Sequence, residues 1–281
     1  MMARKPTRKA SAKRETKSRA GKRAKVKPAP KRVAADLKAT QGALPQWTAA
    51  QIAEAFRRFK AANPEPKSEL QHINPFTLLV AVVLSAQATD AGVNKATPAL
   101  FALADTPEKM AGLGETRVRD LIKTIGLFRT KARNVVALSQ KLIAEHGSQV
   151  PCSRAALEAL PGVGRKTANV VLGHALGVPG LPVDRHVLRV ANRLGIAASD
   201  EPETVEKQLA AALPKARWTR ASDTLILHGR RVCRPTPMCD RCAARDLCRY
   251  FRTLGEGLAG RPRGARAAKS TKSPRKSRPR R

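Results

Sequence analysis

Apolar residues in the middle of the chain recur every three or four positions, which is the spacing of amphipathic helices. The first such face combines Ile52, Ala55, Phe56 and Phe59. It follows Thr48-Ala-Ala-Gln51, in which a hydroxyl and an amide three residues apart have the form of a capping box. The pattern predicts a helix that begins directly after Thr48.

The segment from Phe76 to Ala86 is apolar on nearly every side. Asn74 can cap a helix there, and Pro75 suits the first helical position. Periodicity alone also allows a buried strand over Leu79–Leu84, but the cap, the length and the lack of a partner strand favour a helix. We therefore expect a buried central helix, followed by a polar segment from Ser85 onwards.

Further helix start and stop signals follow along the chain. They predict a helix opening at Thr106-Pro107 and others over Arg117–Ile125, Lys131–Glu145, Arg154–Ala159, Arg165–Leu176, Val187–Leu194, Glu203–Leu213 and Thr219–His228. No alternating strand pattern of any length is present in the sequence. The pattern as a whole predicts an all-α protein.

Residues 160–166 form a glycine-rich turn that opens onto a helix. Gly162 and Gly164 flank Val163, so backbone N–H groups can converge there, and the helix beginning at Arg165 adds partial positive charge. Such a turn can hold a phosphate of a nucleic-acid backbone. An ordinary glycine-rich loop between packed helices is the alternative, because a G-x-G pattern alone is a weak motif.

Lys166 lies in the first turn of that helix, where the dipole disfavours an ammonium. A lysine nucleophile must be neutral, and the partial burial that we expect would act in the same direction. Asp184 follows 18 residues later, after a helix and an extended return that allow both side chains to reach one pocket. Asp184 also suits the N-cap of the helix over Val187–Leu194, so a capping role alone is the competing interpretation.

The chain of 281 residues carries 55 Lys and Arg against 21 Asp and Glu, a formal net charge of +34. This excess is larger than solubility requires and indicates a polyanionic partner. Aromatic residues make up 3% of the chain and apolar residues 42%, so the core must consist mainly of Ala, Leu and Val. That composition suits closely packed helices.

Both ends of the chain are strongly basic. Residues 1–38 hold fifteen Lys and Arg against two acidic residues, and residues 261–281 hold ten against none. Because these ends have little to bury, we expect disordered tails over 1–43 and 258–281 that attract phosphates, with a transit peptide as the alternative for the first. The longest apolar run, Leu78–Leu84, is far below the roughly 18 residues of a spanning helix, so we expect a cytoplasmic protein without membrane contact.

Four cysteines lie within sixteen residues at the spacing C-x5-C-x2-C-x5-C: Cys233, Cys239, Cys242 and Cys248. In an intracellular chain such a group indicates a zinc ion or an iron–sulfur cluster, with structural disulfides a distant third. Zinc usually takes two closely spaced pairs, and only Cys239 and Cys242 form one, so the wider outer spacings favour the larger cluster. Cys152 is left over and is expected to be a small buried hydrophobe.

The runs LPGVGRKTANVVL and VDRHVLRVANRLG resemble the helix-hairpin-helix glycosylases of the endonuclease III family, and the similarity extends over most of residues 44–250. The resemblance implies that Lys166 is the nucleophile and Asp184 its catalytic partner. In LSAQATD, Gln87 matches the residue that fills the gap left by an extruded base, and Leu127 matches an apolar wedge entering from the other side. On spacing alone, LSAQATD is a turn with a cap and Leu127 a core residue.

The resemblance also concerns the residues near these sites. It implies DNA contacts at the hairpin glycines and the residues beside them, and it makes His186 and Arg189 candidates for contacting phosphate or supporting the site. Arg185 departs from the family, where a small hydroxyl residue is usual. The family's four-cysteine loop binds a [4Fe-4S] cluster and normally has six residues between the first two cysteines, whereas this chain has five.

The implied fold has two helical lobes. Residues 44–67 and 179–257 would form a discontinuous lobe with the aspartate and the cluster loop, and residues 68–178 a lobe with the helix-hairpin-helix motif at 152–177. The implied protein is a monomer acting on double-stranded DNA that contains damaged pyrimidines or abasic sites. It would excise oxidised or ring-saturated pyrimidines and cleave 3′ to the abasic site through a lysine Schiff base.

Two other functions stay open on the sequence. An adenine-mismatch glycosylase of the same superfamily carries the cysteine loop, but it lacks a lysine at the position of Lys166 and has a further mismatch-reading domain, for which this C-terminal region is short. A non-enzymatic protein that binds DNA through the hairpin and the basic tails is the other alternative.

Overall fold

The computed structural model describes residues 47–66 and 69–254. All regular secondary structure in these residues is helical, which confirms the predicted all-α class, and none of these helices is long and apolar enough to cross a membrane. The tails predicted over 1–43 and 258–281 lie outside the described residues. The α-helices are α1 (Ala49–Ala62), α2 (Pro75–Ser85), α3 (Asp90–Leu103), α4 (Pro107–Leu121), α5 (Phe128–His146), α6 (Arg154–Glu158), α7 (Arg165–Ala175), α8 (Arg185–Leu194), α9 (Pro202–Ala212), α10 (Trp218–Arg231) and α11 (Arg249–Leu254), and short 3-10 helices span Lys215–Arg217 and Cys239–Arg241.

Local capping signals set where the first helices begin. The hydroxyl of Thr48 accepts a hydrogen bond from the N–H of Gln51 at 3.2 Å, and the Gln51 side chain accepts from the N–H of Thr48 at 2.9 Å, as predicted for α1. Asn74 caps α2 in the same reciprocal way, and residues 76–84 of this helix are all buried. The strand considered for Leu79–Leu84 is therefore wrong, because a capped helix satisfies these backbone groups without a partner strand.

Three helices depart from the sequence pattern. The pattern does not predict α3, which Thr89 caps by accepting from the N–H of Gly92 at 3.1 Å, so the polar segment after α2 is both a turn and a helix start. Helix α4 joins two predicted segments across a kink at Gly114, whose φ is 69°. Helix α5 begins at Phe128, before the predicted start, because Leu127 adopts a left-handed conformation that turns the chain into the helix.

The buried apolar residues form two clusters. The first runs from Leu70 to Leu172, includes all of the buried face of α2, and has α7 packed against α2. The second combines Trp47–Phe59 with Leu181–Tyr250, so α1 packs with helices that come much later in the chain. We call the parts of the molecule around these clusters the first and second lobes. The residue boundaries expected for the two lobes stay predictions.

Candidate active site

A cavity between the two lobes brings Lys166 and Asp184 together. Helix α7 of the first lobe carries Lys166, and Asp184 directly precedes α8 of the second lobe. No Phe, Tyr or Trp is among the described residues that line this cavity, and aliphatic side chains form much of its wall: Leu70, Val82, Val170, Pro182, Ile226 and Leu227. The segment after α7 therefore returns as expected and brings the carboxylate of Asp184 to the same cavity as the amine of Lys166.

Lys166 is the second residue of α7 and is exposed to solvent. Gly164 is the N-cap of this helix and no side chain caps it, so the first N–H groups and their partial positive charge lie beside the lysine. The partial burial expected from the sequence is wrong for the protein alone.

Asp184 both caps a helix and lines the cavity, so its capping position does not exclude a position in the cavity. Its Oδ1 accepts from the N–H of His186 at 2.7 Å and from that of Val187 at 2.9 Å, so the residue is the N-cap of α8. The same residue is partly buried and lines the cavity with Lys166. The cap holds the carboxylate in one orientation and leaves it further lone pairs for a second partner.

The hairpin between α6 and α7 depends on a left-handed glycine. Gly162 has a φ of 79°, and a Cβ added there would lie 2.8 Å from Nδ2 of Asn134. Val163 is buried, and its N–H donates to the carbonyl of Leu160 at 3.1 Å. A phosphate held by this hairpin would therefore meet the amides around Gly164 rather than the amide of Val163.

Arg165 has a partner within the protein. Its Nε lies 2.7 Å from Oε2 of Glu206, and its Nη2 lies 3.2 Å from Oε1. Glu206 belongs to α9 and is buried, and its hydrogen bond raises the pKa of Arg165. Arg154 of α6 approaches the same carboxylate at 3.4 Å. Arg165 therefore bridges the hairpin and the second lobe, and its predicted DNA contact stays a prediction.

Gln87 and Leu127, the two expected DNA-inserting residues, share an uncommon backbone. Their φ angles are 56° and 60°, and Ser148 is the other non-glycine residue with a positive φ in residues 47–66 and 69–254. Both are exposed, with Leu127 at 60%, so the core position considered for Leu127 is wrong. Strain of this kind concentrates in functional loops.

The four cysteines line a second cavity, which is enclosed by α8, α10 and α11. Burial raises the pKa of Cys242 to about 11 and that of Cys248 to about 12. Within the described part of the chain, no three His, Cys, Asp or Glu side chains converge closely enough to hold a single metal ion. Cys152 is exposed, so its predicted role as a buried hydrophobe is wrong.

Comparison with known proteins identifies the family of this chain. Residues 80–215 match the HhH-GPD superfamily of base excision DNA repair proteins. Endonuclease III of Treponema pallidum (strain Nichols) is 52% identical over 194 residues, covering 69% of this chain and 92% of that protein. Endonuclease III of Escherichia coli (strain K12) is 48% identical over 198 residues, covering 70% and 94%. The chain belongs to the endonuclease III family.

Solved structures agree with this membership. A trapped endonuclease III–DNA covalent intermediate has a TM-score of 0.70 at 42% identity, covering 74% of this chain and 98% of its own. A thermostable thymine-DNA glycosylase shares the fold, with a TM-score of 0.63 at 21% identity, covering 79% and 97%. As a member of the endonuclease III family, the protein is a DNA-binding glycosylase and abasic-site lyase of base excision repair.

In this endonuclease III relative, Arg189 does not face solvent. It is 8% exposed, its Nε donates to the carbonyl of Cys233 at 3.0 Å, and its Nη2 donates to that of Gly229 at 2.9 Å. Arg189 thus bridges α8 and the cysteine loop, which is the supporting position considered for it, and its contact with phosphate stays a prediction. His186 lies beside it, with Nδ1 3.2 Å from the Nη2 of Arg189, and burial lowers the pKa of His186.

Arg193, one turn further along α8, supports the shortened part of the cysteine loop. It is 2% exposed, and it donates to the carbonyls of Arg234 at 2.7 Å and Pro235 at 3.2 Å. Its guanidinium also lies 4.7 Å from the ring centre of Tyr250. The only signal in the sequence is the four-residue spacing that Arg193 shares with Arg189, because the contacts join positions about 40 residues apart.

Arg230 forms a charged bridge at the edge of the cavity. Its Nη2 lies 2.9 Å from Oδ2 of Asp90, and it also pairs with Glu69. Arg230 belongs to α10 of the second lobe, whereas Asp90 begins α3 of the first lobe, directly after the Gln87 loop. These partners are more than 100 residues apart in sequence, so no local pattern reveals them.

Proposed function

We propose that this protein excises oxidised or ring-saturated pyrimidines from double-stranded DNA and then cleaves 3′ to the resulting abasic site. Lys166 is the nucleophile and Asp184 its partner. The observation that carries this proposal is the cavity in which the two residues meet. An exposed amine at an uncapped helix N-terminus, beside an oriented carboxylate, suits attack on a sugar carbon.

The reaction begins when a damaged nucleotide leaves the stack and enters the cavity. The neutral amine of Lys166 bonds to C1′ as the glycosidic bond breaks, and the bonding electron pair leaves with the base, which takes up a proton. Asp184 stabilises positive charge on the sugar and takes part in proton transfer. Ring opening gives a Schiff base, and loss of a 2′ proton then expels the 3′ phosphate. Water finally releases Lys166.

Gln87 and Leu127 hold the duplex open in this proposal. Both are exposed, Gln87 after α2 and Leu127 before α5, and both have backbones that few non-glycine residues adopt. Apolar and amide side chains of this kind can enter a duplex from which a nucleotide has been extruded. We assign Gln87 to the space left by the base and Leu127 to the opposite side.

The cavity wall supports damaged pyrimidines as the substrate class. A ring-saturated base is no longer flat, so it gains less than an intact base from an aromatic stacking surface. The apolar part of the described lining is aliphatic and contains no Phe, Tyr or Trp. A wall of branched aliphatic side chains can instead follow the puckered ring of a saturated base.

We also propose that the four cysteines hold a [4Fe-4S] cluster, with zinc as the alternative. They line a common cavity, and only Cys239 and Cys242 have the close spacing that zinc pairs usually show. When bound, the cluster ties the loop together through four thiolates. Analysis of the purified protein should give about four iron and four sulfide per chain, whereas one zinc per chain without sulfide would contradict the proposal.

The same proposal describes a cytoplasmic enzyme that works as a monomer on chromosomal DNA. One chain supplies both Lys166 and Asp184, and the cavity lies between lobes of that chain. The positive charge of the whole chain favours association with DNA.

Borohydride trapping tests the proposed function. The purified protein is mixed with duplexes that carry one thymine glycol or one abasic site, with and without sodium borohydride. We expect strand cleavage without the reductant and a covalent protein–DNA adduct with it. Lys166→Ala should abolish both while leaving DNA affinity near that of the unchanged protein.

The alternatives give other results in the same assay. Binding of both duplexes without cleavage or adduct would identify a non-enzymatic DNA-binding protein. Removal of adenine from a mismatch, with thymine glycol left intact, would identify a mismatch glycosylase. Either outcome would overturn the proposal.

A further inference from the structure

The cavity that contains Lys166 also contains a polar pair with no part in the proposed chemistry. Nε2 of His174 lies 3.2 Å from Oδ1 of Asp223. Both side chains are largely buried, at 17% and 11% exposed. His174 belongs to α7 of the first lobe and Asp223 to α10 of the second lobe, so the pair joins the lobes within the cavity.

His174 lies on the same face of α7 as Lys166. Lys166, Val170 and His174 are spaced by four residues on α7 and all line the same cavity. Two helical turns separate the first from the last, about 12 Å along the axis at 1.5 Å per residue. A base attached to a C1′ beside Lys166 therefore shares this cavity with His174.

The chemistry of the pair matches the polar edge of a pyrimidine. The cavity wall combines aliphatic and charged side chains, and within it the His174 imidazole and the Asp223 carboxylate offer an N–H donor and several acceptor lone pairs on neighbouring atoms. A ring-saturated pyrimidine keeps its ring N–H and carbonyl groups after it has lost its flat π-system. Hydrogen bonding at this edge can thus recognise a lesion that stacks poorly.

We propose that His174 and Asp223 are specificity-determining residues that hydrogen-bond the edge of the extruded base. This inference rests on the proposed function, since it requires a damaged pyrimidine in the cavity. The pair acts when the base is released and has no role in cleaving an abasic site, where no base is present. A comparison of base excision with abasic-site cleavage in one enzyme therefore separates base recognition from the rest of catalysis.

The test compares single-turnover excision of thymine glycol with cleavage and borohydride trapping at an abasic site. The variants are His174→Phe, which keeps a ring of similar size, and Asp223→Asn, which keeps the side-chain shape. We expect excision to fall about tenfold to a hundredfold, as for a lost buried hydrogen bond, and to fall at least ten times further than abasic cleavage. His146→Phe, at the end of α5, is the matched control and should not change the ratio of the two activities.

Two results would overturn the inference. If both activities fall together, along with the unfolding temperature, the pair is a structural bridge between the lobes. If neither activity changes while the unchanged protein acts on both duplexes, the pair does not contact the base. An unchanged protein that acts on neither duplex would instead show that the proposed function itself fails.

Discussion

At the scale of single residues, Asp184 shows how one side chain serves structure and chemistry. One oxygen accepts two backbone N–H groups at the start of α8, and the residue faces the cavity shared with Lys166. A capping aspartate is held in place without any partner in the cavity. The carboxylate is therefore oriented before DNA binds.

Substitution can separate the two roles of Asp184. Asparagine caps helices as well as aspartate does, so Asp184→Asn should change the free energy of unfolding by less than about 0.5 kcal/mol. Asp184→Ala should lose about 1 kcal/mol. Both should slow excision of thymine glycol about a hundredfold or more, because neither keeps the negative charge. Urea unfolding and single-turnover kinetics measure these effects, and full excision by the asparagine variant would exclude a catalytic carboxylate.

Lys131 on α5 is a buried lysine. It is 5% exposed, its Nζ has no hydrogen-bond partner among residues 47–66 and 69–254, and burial lowers its pKa. Lys131→Met should therefore raise the free energy of unfolding at pH 7 by about 1–3 kcal/mol, because the apolar chain fills the same space without a charge. Lys109→Met, which changes an exposed lysine paired with Asp105, is the control and should stay within about 0.5 kcal/mol.

The difference in the free energy of unfolding between Lys131→Met and the unchanged protein should depend on pH with a definite sign. A lysine whose pKa is lowered by folding destabilises the protein while it is charged in both states, and the penalty disappears as both states lose the proton. The advantage of Lys131→Met should therefore shrink as the pH rises towards 10.5, the usual lysine value. Thermal unfolding at several pH values measures it, and an advantage that grows with pH would contradict the assignment.

At the scale of elements, the hairpin is tied to the second lobe by Glu206. This one buried carboxylate receives Arg154 from α6 and Arg165 from α7, which are the two arms of the hairpin. Arg165 directly precedes Lys166 in the chain. The bridge therefore lies next to Lys166, the proposed nucleophile, and joins its helix to the lobe that carries Asp184.

Glu206→Gln should weaken this bridge and slow abasic-site cleavage by about tenfold, with a loss of about 1–3 kcal/mol in the free energy of unfolding. Adding Arg165→Gln to Glu206→Gln should cause little further loss of activity or stability, because both changes remove the same contact. Glu203→Gln is the control, since Glu203 is 66% exposed and lies 3.9 Å from Arg165. If Arg165 instead contacts a DNA phosphate, the two effects will add and the salt dependence of binding will change by about one charge.

At the scale of the whole molecule, charge and chemistry occupy different parts of the chain. Residues 1–38 and 261–281 carry most of the net positive charge, whereas Lys166, Asp184 and the four cysteines lie between them. Charges on the ends can bind phosphates anywhere along DNA. The lobes alone contain the cavity.

Removal of residues 1–38 and 261–281 should weaken DNA binding most at low salt and reduce the slope of log affinity against log salt concentration. Single-turnover excision at saturating enzyme should change by less than about threefold, because no residue of the cavity is lost. Fluorescence anisotropy over a series of salt concentrations measures the first effect. A lower excision rate at saturation would place part of the catalytic machinery in the ends.

The sequence alone determined what depends on near neighbours: the all-α class, the caps of α1 and α2, the hairpin glycines, and the Lys166–Asp184 pair together with the family resemblance. These signals extend over a few residues or a family motif, so periodicity, capping and spacing reveal them. Tertiary structure decided which arginines bind within the protein, because Glu206, Cys233 and Asp90 become neighbours only when the lobes pack. It also decided that Lys166 is exposed and that His174 meets Asp223 inside the cavity, since exposure and pairing depend on what distant segments place beside a residue.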